Sequence, residues 1–490
     1  MQTQGNSAPM ETNQRTLVMK FGGTSLGTPA AMAGAVEIVQ QTRAGWPRVV
    51  VVVSALAGVT NLLLESAAQA ASGDARPSRQ ATTRLRRIHE AVAGKLIGDP
   101  STRAQVGREI DALLAVFKDL CKAVAVLGEA SPRALDAMAA LGERMSVRLL
   151  AAALESAQVP ARHVEATQLI VTDDRFQNAY PDFPATAQKS RQVLEPILAE
   201  GVVPVVTGFI AATPEGITTT LGRGGSDYSA GILGAVLPAD EVWIWTDVDG
   251  VMTADPRLVP EACTIPEISY REIAELAYFG AKVLHPKTIR PVVEAGIGLR
   301  ICNTFNPRHP GTRLVPDDPG RNGKQPDGKK IIKAVTAIRG QRLVTVEGRG
   351  MLGVPGVAAR TFAAVASTGT SVPLITQASS EQSICFALPA DAAGQVLASL
   401  QNAFAAELAD SDIDRVWATE EVAIITVVGA GMIHTPGVAG RIFTALGRCG
   451  VNVIAIAQGS SEVSISLVVA SEDTEAAVRA VHALIDNGRA

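Results

Sequence analysis

The sequence predicts an α/β protein, a sheet sandwiched by helices over residues 16–315, followed by two small α+β modules. Three observations carry this expectation. Short β-branched runs alternate with longer Ala/Leu-rich stretches, a charged turn-rich break interrupts the chain at 316–330, and the region beyond the break contains an internal repeat.

The alternation comes first in the chain. Residues 16–19, 48–53, 202–207, 241–246 and 299–303 read as strands, each bounded by glycine or polar turn formers. Their continuous apolar character predicts burial on both faces of the sheet. Residues 79–157 have few β-branched runs and read as a helical insertion placed to cover a cleft. Residues 1–15 are polar, lack the apolar core of a signal peptide, and read as a flexible tail.

The break at 316–330 is rich in Pro, Gly, Asp and Lys, the composition of an exposed linker. Beyond it, residues 348–388 align without gaps on 429–469, with 19 of 41 positions identical. Each copy has a Pro-Gly turn, a helix, a strand, a Ser-Ser-Glu turn and a second strand. The modules are therefore placed at 331–415 and 416–490.

At 490 residues, about two to four domains are expected. The net charge of −4 implies no polybasic surface for nucleic acid or anionic lipid. No apolar run approaches the roughly 20 residues that cross a bilayer, and a cytoplasmic location is the expectation. Five scattered cysteines without a CxxC pair, and no HExxH motif, argue against disulfides and against a protein-built transition-metal site.

Chemistry concentrates in a few segments. Lys20 ends a strand and Gly22-Gly23-Thr24-Ser25 leads into a helix, which aims N–H groups and a cation at an anion such as phosphate. Taken alone, the same pattern also makes a tight turn beside a solvated strand end. A second glycine-rich loop, Gly222-Arg223-Gly224-Gly225-Ser226-Asp227, opens another helix. Asp227 there suits a helix cap as well as a ligand role, while Arg223 between glycines suits a carboxylate or phosphate. Residues 246–257 (TDVDGVMTADPR) follow a hydrophobic strand at the end where α/β sheets bind ligands, and their acidic spacing departs from a calcium loop. Lys282 supplies a further cation or an ordinary exposed helix lysine. Glu143-Arg144, inside a helical stretch, reads by position as a solvated face. The GxGxxG at 348–353 is not followed by a βαβ unit and belongs to the repeat's turn.

Six segments in order, KFGGTS (20–25), SALAGVTN (54–61), GERMS (142–146), GRGGSDYSA (222–230), TDVDGVMTADPR (246–257) and FGAKVLHPKT (279–288), resemble the aspartate kinase family. The resemblance covers the chain from Thr16. It implies an amino-acid-kinase-type sheet domain followed by two ACT modules. It also implies transfer of the ATP γ-phosphate to the β-carboxylate of L-aspartate, the first step toward lysine, threonine and methionine.

By the same resemblance Lys20, Asp227 and Lys282 would be catalytic, and Thr60, Glu143, Arg223 and Ser226 would bind aspartate, with Glu143 gripping the amino group. This overrides the helix-face reading of Glu143. Lys20, Gly22, Gly23, Thr246, Asp247, Met252, Arg257, Lys282 and Val283 would surround ATP, and Mg2+ would arrive on the nucleotide. Met252 stands where many relatives carry an aromatic residue. The repeated QxSSE, at 377–381 and 458–462, is similar to the threonine-responsive branch, the kinase half of bifunctional aspartokinase–homoserine dehydrogenase, without the dehydrogenase half. It implies Gln377, Ser379, Asn452 and Gln458 as effector positions, threonine as effector, and a homo-oligomer formed through the ACT modules. Competing readings are a catalytically silent amino-acid sensor and a related kinase with another carboxylate substrate.

Overall fold

The computed structural model describes residues 15–74, 76–280, 284, 286–317, 331–351, 353–377, 382–459 and 462–485. The expected tail and linker lie almost wholly outside these residues. The chain divides into two compact units.

The first unit is built on an eight-stranded sheet. The strands of this region are β1 (Thr16–Phe21), β2 (Arg48–Val53), β3 (Ala161–Val164), β4 (Val203–Thr207), the hairpin pair β5 (Ile210–Ala212) and β6 (Thr218–Thr220), β7 (Glu241–Thr246), β8 (Glu267–Ser269), β9 (Gly298–Asn303) and β10 (Thr312–Val315). The hairpin forms its own two-stranded sheet, and the main order is β3-β4-β2-β1-β7-β9-β10-β8. Pairing from β3 across to β9 is parallel, and β10 runs antiparallel to β9. The chain leaves β1 first toward β2 and later returns on its other side as β7. The carboxyl end of β1 thus lies at a reversal of strand order, where sheets of this kind open a crevice.

Side-chain alternation sorts the two faces. Leu17, Met19 and Phe21 enter a core shared with helices α1 (Gly23–Leu26), α2 (Pro29–Thr42), α3 (Val59–Ala71), α4 (Arg76–Leu96), α5 (Pro100–Leu127) and α6 (Pro132–Ser156). Val18 and Lys20 face the opposite side, where α8 (Gly225–Val236) lies near α7 (Phe183–Ala199). The expected helical insertion is formed by α4, α5 and α6. Asp99 and Ser131 cap α5 and α6 by accepting the N–H of Thr102 and Ala134, each just before a Pro that starts the helix.

The second unit holds the repeat, together with residues 252–265 and 269–280. Its antiparallel sheet centres on the long strand Ala334–Glu347. The first half of that strand pairs with Val422–Val428, and Val335 joins the core of Ile425, Ile442, Leu467 and Val478. The second half pairs with Ser383–Pro389 and Arg415–Ala418, and Val344 and Val346 join the core of Phe386, Leu400 and Phe404. One strand therefore serves both modules, and the pairing interleaves them along the chain.

Candidate active site

Lys20 is the last polar position of β1 before its end, on the face covered by α8. The first turn of α8 carries Asp227, and Lys20 Nζ lies 2.5 Å from Asp227 Oδ1, both side chains largely buried. A paired, water-poor lysine is held in place before any anion arrives.

Helix α6 forms another wall. Gly142 lets it approach the strand-end segment after β2, since a Cβ there would meet Ala55 Cβ at 2.8 Å. This approach brings the Glu143 carboxylate to the backbone, where Oε1 accepts from Ala55 N at 3.2 Å and Ser146 Oγ donates to Ser54 O at 2.7 Å. Glu143 is 3% exposed, and its Oε2 is buried with no hydrogen-bond partner among the described residues. Burial pushes its carboxyl up to about 8. A carboxylate with one oxygen unserved is a ready acceptor for an ammonium group.

The loop between β6 and α8 closes the site. Gly222 adopts φ +76, and a Cβ there would meet Gln177 O at 2.9 Å, so this turn requires glycine. Arg223 follows, exposed and without a hydrogen-bond or ion-pair partner among the described residues. Lys20, Gly23, Thr60, Glu143, Arg223, Ser226 and Asp227 all line one cavity of about 550 Å³. It offers cations at Lys20 and Arg223 and a carboxyl group at Glu143 that an ammonium partner would ionise, a pattern that matches an amino acid beside a phosphate.

The other expected residues fall elsewhere. Gly22 N–H donates to Trp245 O, and the buried Ser25 hydroxyl is bonded to Trp245 O and Thr304. Thr246 Oγ1 donates to Asp247 Oδ1 just past β7. Met252 and Arg257 belong to the second unit, where Thr264 Oγ1 donates to Met252 Sδ and exposed Arg257 pairs with Asp255 at 2.6 Å. Gln377, Asn452 and Gln458 are exposed, Gln377 and Gln458 closing equivalent strands Leu374–Gln377 and Ala455–Gln458. Lys282, Val283 and Ser379 lie outside the described residues. Among the described residues, no group of three or more His, Cys, Asp or Glu is arranged to hold a metal ion.

Sequence reasoning missed Asp136, which lines the same cavity at 1% exposure. It sits in no glycine-rich motif. Its signal was available in the spacing: it lies seven residues before Glu143, two turns back on the same face of α6.

Residues 15–303 match the amino acid kinase family, and residues 344–404 and 425–484 match the ACT domain. The first match alone spans more than half of the chain.

The chain belongs to the amino acid kinase family, in its aspartokinase branch.

This family member is 35% identical over 469 residues to lysine-sensitive aspartokinase 3 of Escherichia coli K12, covering 95% of this chain and 98% of that one. It is 37% identical over 466 residues to bifunctional aspartokinase/homoserine dehydrogenase 1 of Zea mays, covering 95% of this chain and 50% of that one. The chain thus spans about half the length of the bifunctional plant relatives it matches. Among solved structures, E. coli aspartokinase III in complex with aspartate and ADP superposes with a TM-score of 0.77 at 33% identity, covering 96% of this chain and 99% of that one. The same enzyme in complex with lysine and aspartate gives 0.75 at 34% identity, with the same coverage. No helix among the described residues is long and apolar enough to cross a membrane.

Proposed function

We propose that the chain is an aspartate kinase, transferring the γ-phosphoryl group of ATP to the β-carboxylate of L-aspartate. The observation that carries this reading is the meeting in one cavity of the Lys20–Asp227 pair with Glu143 Oε2 and Arg223, both without a partner among the described residues. Similarity to an enzyme solved with aspartate and ADP supports it.

In the proposed step an oxygen of the aspartate β-carboxylate attacks the γ-phosphorus. A new P–O bond forms, the bond to the bridging oxygen breaks, and ADP leaves with the electron pair. The attacking group is already an anion, so no side chain has to remove a proton. Catalysis then reduces to alignment and charge stabilisation. Glu143 receives the substrate ammonium, Arg223 holds a carboxylate, and Ser226 and Thr60 complete the polar wall. Lys20, kept in place by Asp227, stabilises charge on the transferring group. Lys282, Val283, Gly22, Gly23, Thr246, Asp247, Met252 and Arg257 are proposed for the nucleotide, with Mg2+ carried on its phosphates.

The test is trapping with hydroxylamine. Purified protein with Mg·ATP and aspartate is expected to yield aspartyl hydroxamate, and a folded protein that yields none sinks the proposal.

Regulation by an amino acid is part of the same reading, with threonine as the effector and Gln377, Ser379, Asn452 and Gln458 as its contacts. The duplicated QxSSE supports it. Assembly through the ACT modules is proposed too, supported by Ile375 and Ile456, equivalent positions left 50% and 46% exposed on the two outer strands Leu374–Gln377 and Ala455–Gln458. Threonine is expected to raise the melting temperature by binding the native state, and an equal or larger shift with lysine alone would overturn the assignment.

A further inference from the structure

The loop that carries Arg223 has no helix or sheet face of its own to rest on, yet a carboxylate-binding arginine must be held in place. Its support comes from Asp136. Oδ1 of Asp136 accepts from Gln177 N at 3.1 Å and from Thr220 Oγ1 at 2.8 Å. Oδ2 accepts from Gln177 N at 2.9 Å and from Thr220 N at 2.9 Å. One buried side chain therefore ties three elements together: α6, the turn at 175–179, and the end of β6.

Further observations tie this junction to the Arg223 loop. Gln177 has φ +68, a left-handed conformation that a non-glycine residue keeps only when its surroundings hold it there. Ala179 N–H donates to Thr220 O at 2.9 Å, and Gly222 lies so near the turn that a Cβ there would meet Gln177 O at 2.9 Å. Asn178, next in the turn, accepts from Lys287 Nζ. The chain thus enters Gly222-Arg223 from a junction whose central acceptor is Asp136.

We propose that Asp136 is a positioning residue for aspartate, acting through the Gln177 turn and Thr220 to fix where Arg223 presents its guanidinium. The inference rests on the proposed function, because the ligand of Arg223 is the aspartate of that reading. Asp136 and Glu143 are then two outputs of one helix face: Glu143 meets the substrate directly, and Asp136 holds the loop that meets its other end. Burial raises the Asp136 carboxyl above its ordinary range while the Gln177 and Thr220 hydrogen bonds pull it back, as expected where the donors are built for an ionised acceptor.

The test compares Asp136→Asn and Thr220→Val with the wild type in steady-state kinetics for both substrates. Asparagine keeps the shape but turns an N–H donor toward donors. The expected result for Asp136→Asn is a KM for aspartate raised roughly ten- to hundredfold, with the KM for ATP within about twofold of wild type. Thr220→Val, which removes a single donor and keeps the volume, is expected to shift the aspartate KM in the same direction by roughly three- to tenfold. The double variant should show less than the sum of the two effects in free energy. If Asp136→Asn does not fold, Thr220→Val carries the test. Variants that lower the melting temperature but leave the aspartate KM unchanged, or that raise both KM values together, overturn the proposal. Wild-type protein without turnover on aspartate overturns the proposed function itself, whereas an active wild type with unchanged variants overturns only the role of Asp136.

Discussion

The two ends of the cavity wall formed by α6 treat a carboxylate in opposite ways. At the Asp136 end both oxygens are filled by backbone and hydroxyl donors from two other segments. At the Glu143 end one oxygen has a single backbone donor at 3.2 Å, and the other has none among the described residues. Both groups are buried, so solvent access does not explain the difference. A satisfied buried carboxylate organises its neighbours, whereas an unsatisfied one holds free energy that a ligand can release. On the proposed reading, the Asp136 end serves architecture and the Glu143 end serves substrate contact.

The sharpest way to break this comparison is to neutralise the unsatisfied end. Glu143→Gln removes the negative charge but keeps the volume, and is expected to lower kcat/KM for aspartate by roughly a hundredfold or more, as loss of one partner from a buried ion pair does. The KM for ATP should change little. If Glu143→Gln retains wild-type kcat/KM for aspartate, the unserved oxygen is not a substrate contact.

A smaller effect follows from pH. With the Glu143 carboxyl pushed up to about 8 by burial, the free protein holds it mostly protonated at neutral pH. An ammonium partner needs the ionised form. The apparent KM for aspartate should therefore fall as pH rises toward 8, by up to about tenfold per pH unit below that value, and then level. Glu143→Gln should remove this dependence. A wild-type KM that stays flat from pH 6.5 to 8.5, or rises, contradicts the assignment.

The smallest effect is on stability. The folded carboxyl lies above its ordinary value of 4.5, so its contribution is fully present below that pH and is lost as pH rises through about 8. Across that window the melting temperature of ligand-free wild type should decline relative to Glu143→Gln. Saturating aspartate should offset the decline by supplying the missing cation. A parallel pH course for the two proteins, with and without aspartate, would show that the buried carboxyl is not the titrating group.

Legibility in the sequence followed how local each signal was. The buried central strands β1, β2, β4 and β7 were readable because they are unbroken apolar runs between turn formers. The edge strand β3 was not, since Arg162 and His163 are exposed and only its two ends are buried. The short β5–β6 hairpin, three residues per strand, gave no periodic signal either. Both modules were visible from the repeat, but their interleaving was not: pairing partners of Ala334–Glu347 lie up to about ninety residues away, and no local pattern encodes them.

The site divides in the same way. Lys20, Arg223 and Asp227 announce themselves in glycine-rich turns. Glu143 looks like a solvated helix position until Gly142 is seen to bring α6 against Ala55. Asp136 carries no motif, because its partners, Gln177 and Thr220, are 41 and 84 residues away in the chain, and only its spacing from Glu143 on α6 points to it.

The central claim is that the Lys20–Asp227 pair serves phosphoryl transfer to a carboxylate bound between Glu143 and Arg223. Phosphorus NMR of a mixture of protein, Mg·ATP and aspartate tests it most directly. The account predicts an acyl phosphate resonance growing in step with ADP, slowed by roughly a hundred- to a thousandfold in Lys20→Ala. ADP accompanied only by inorganic phosphate from the outset, or an acyl phosphate formed equally fast by Lys20→Ala, would contradict it.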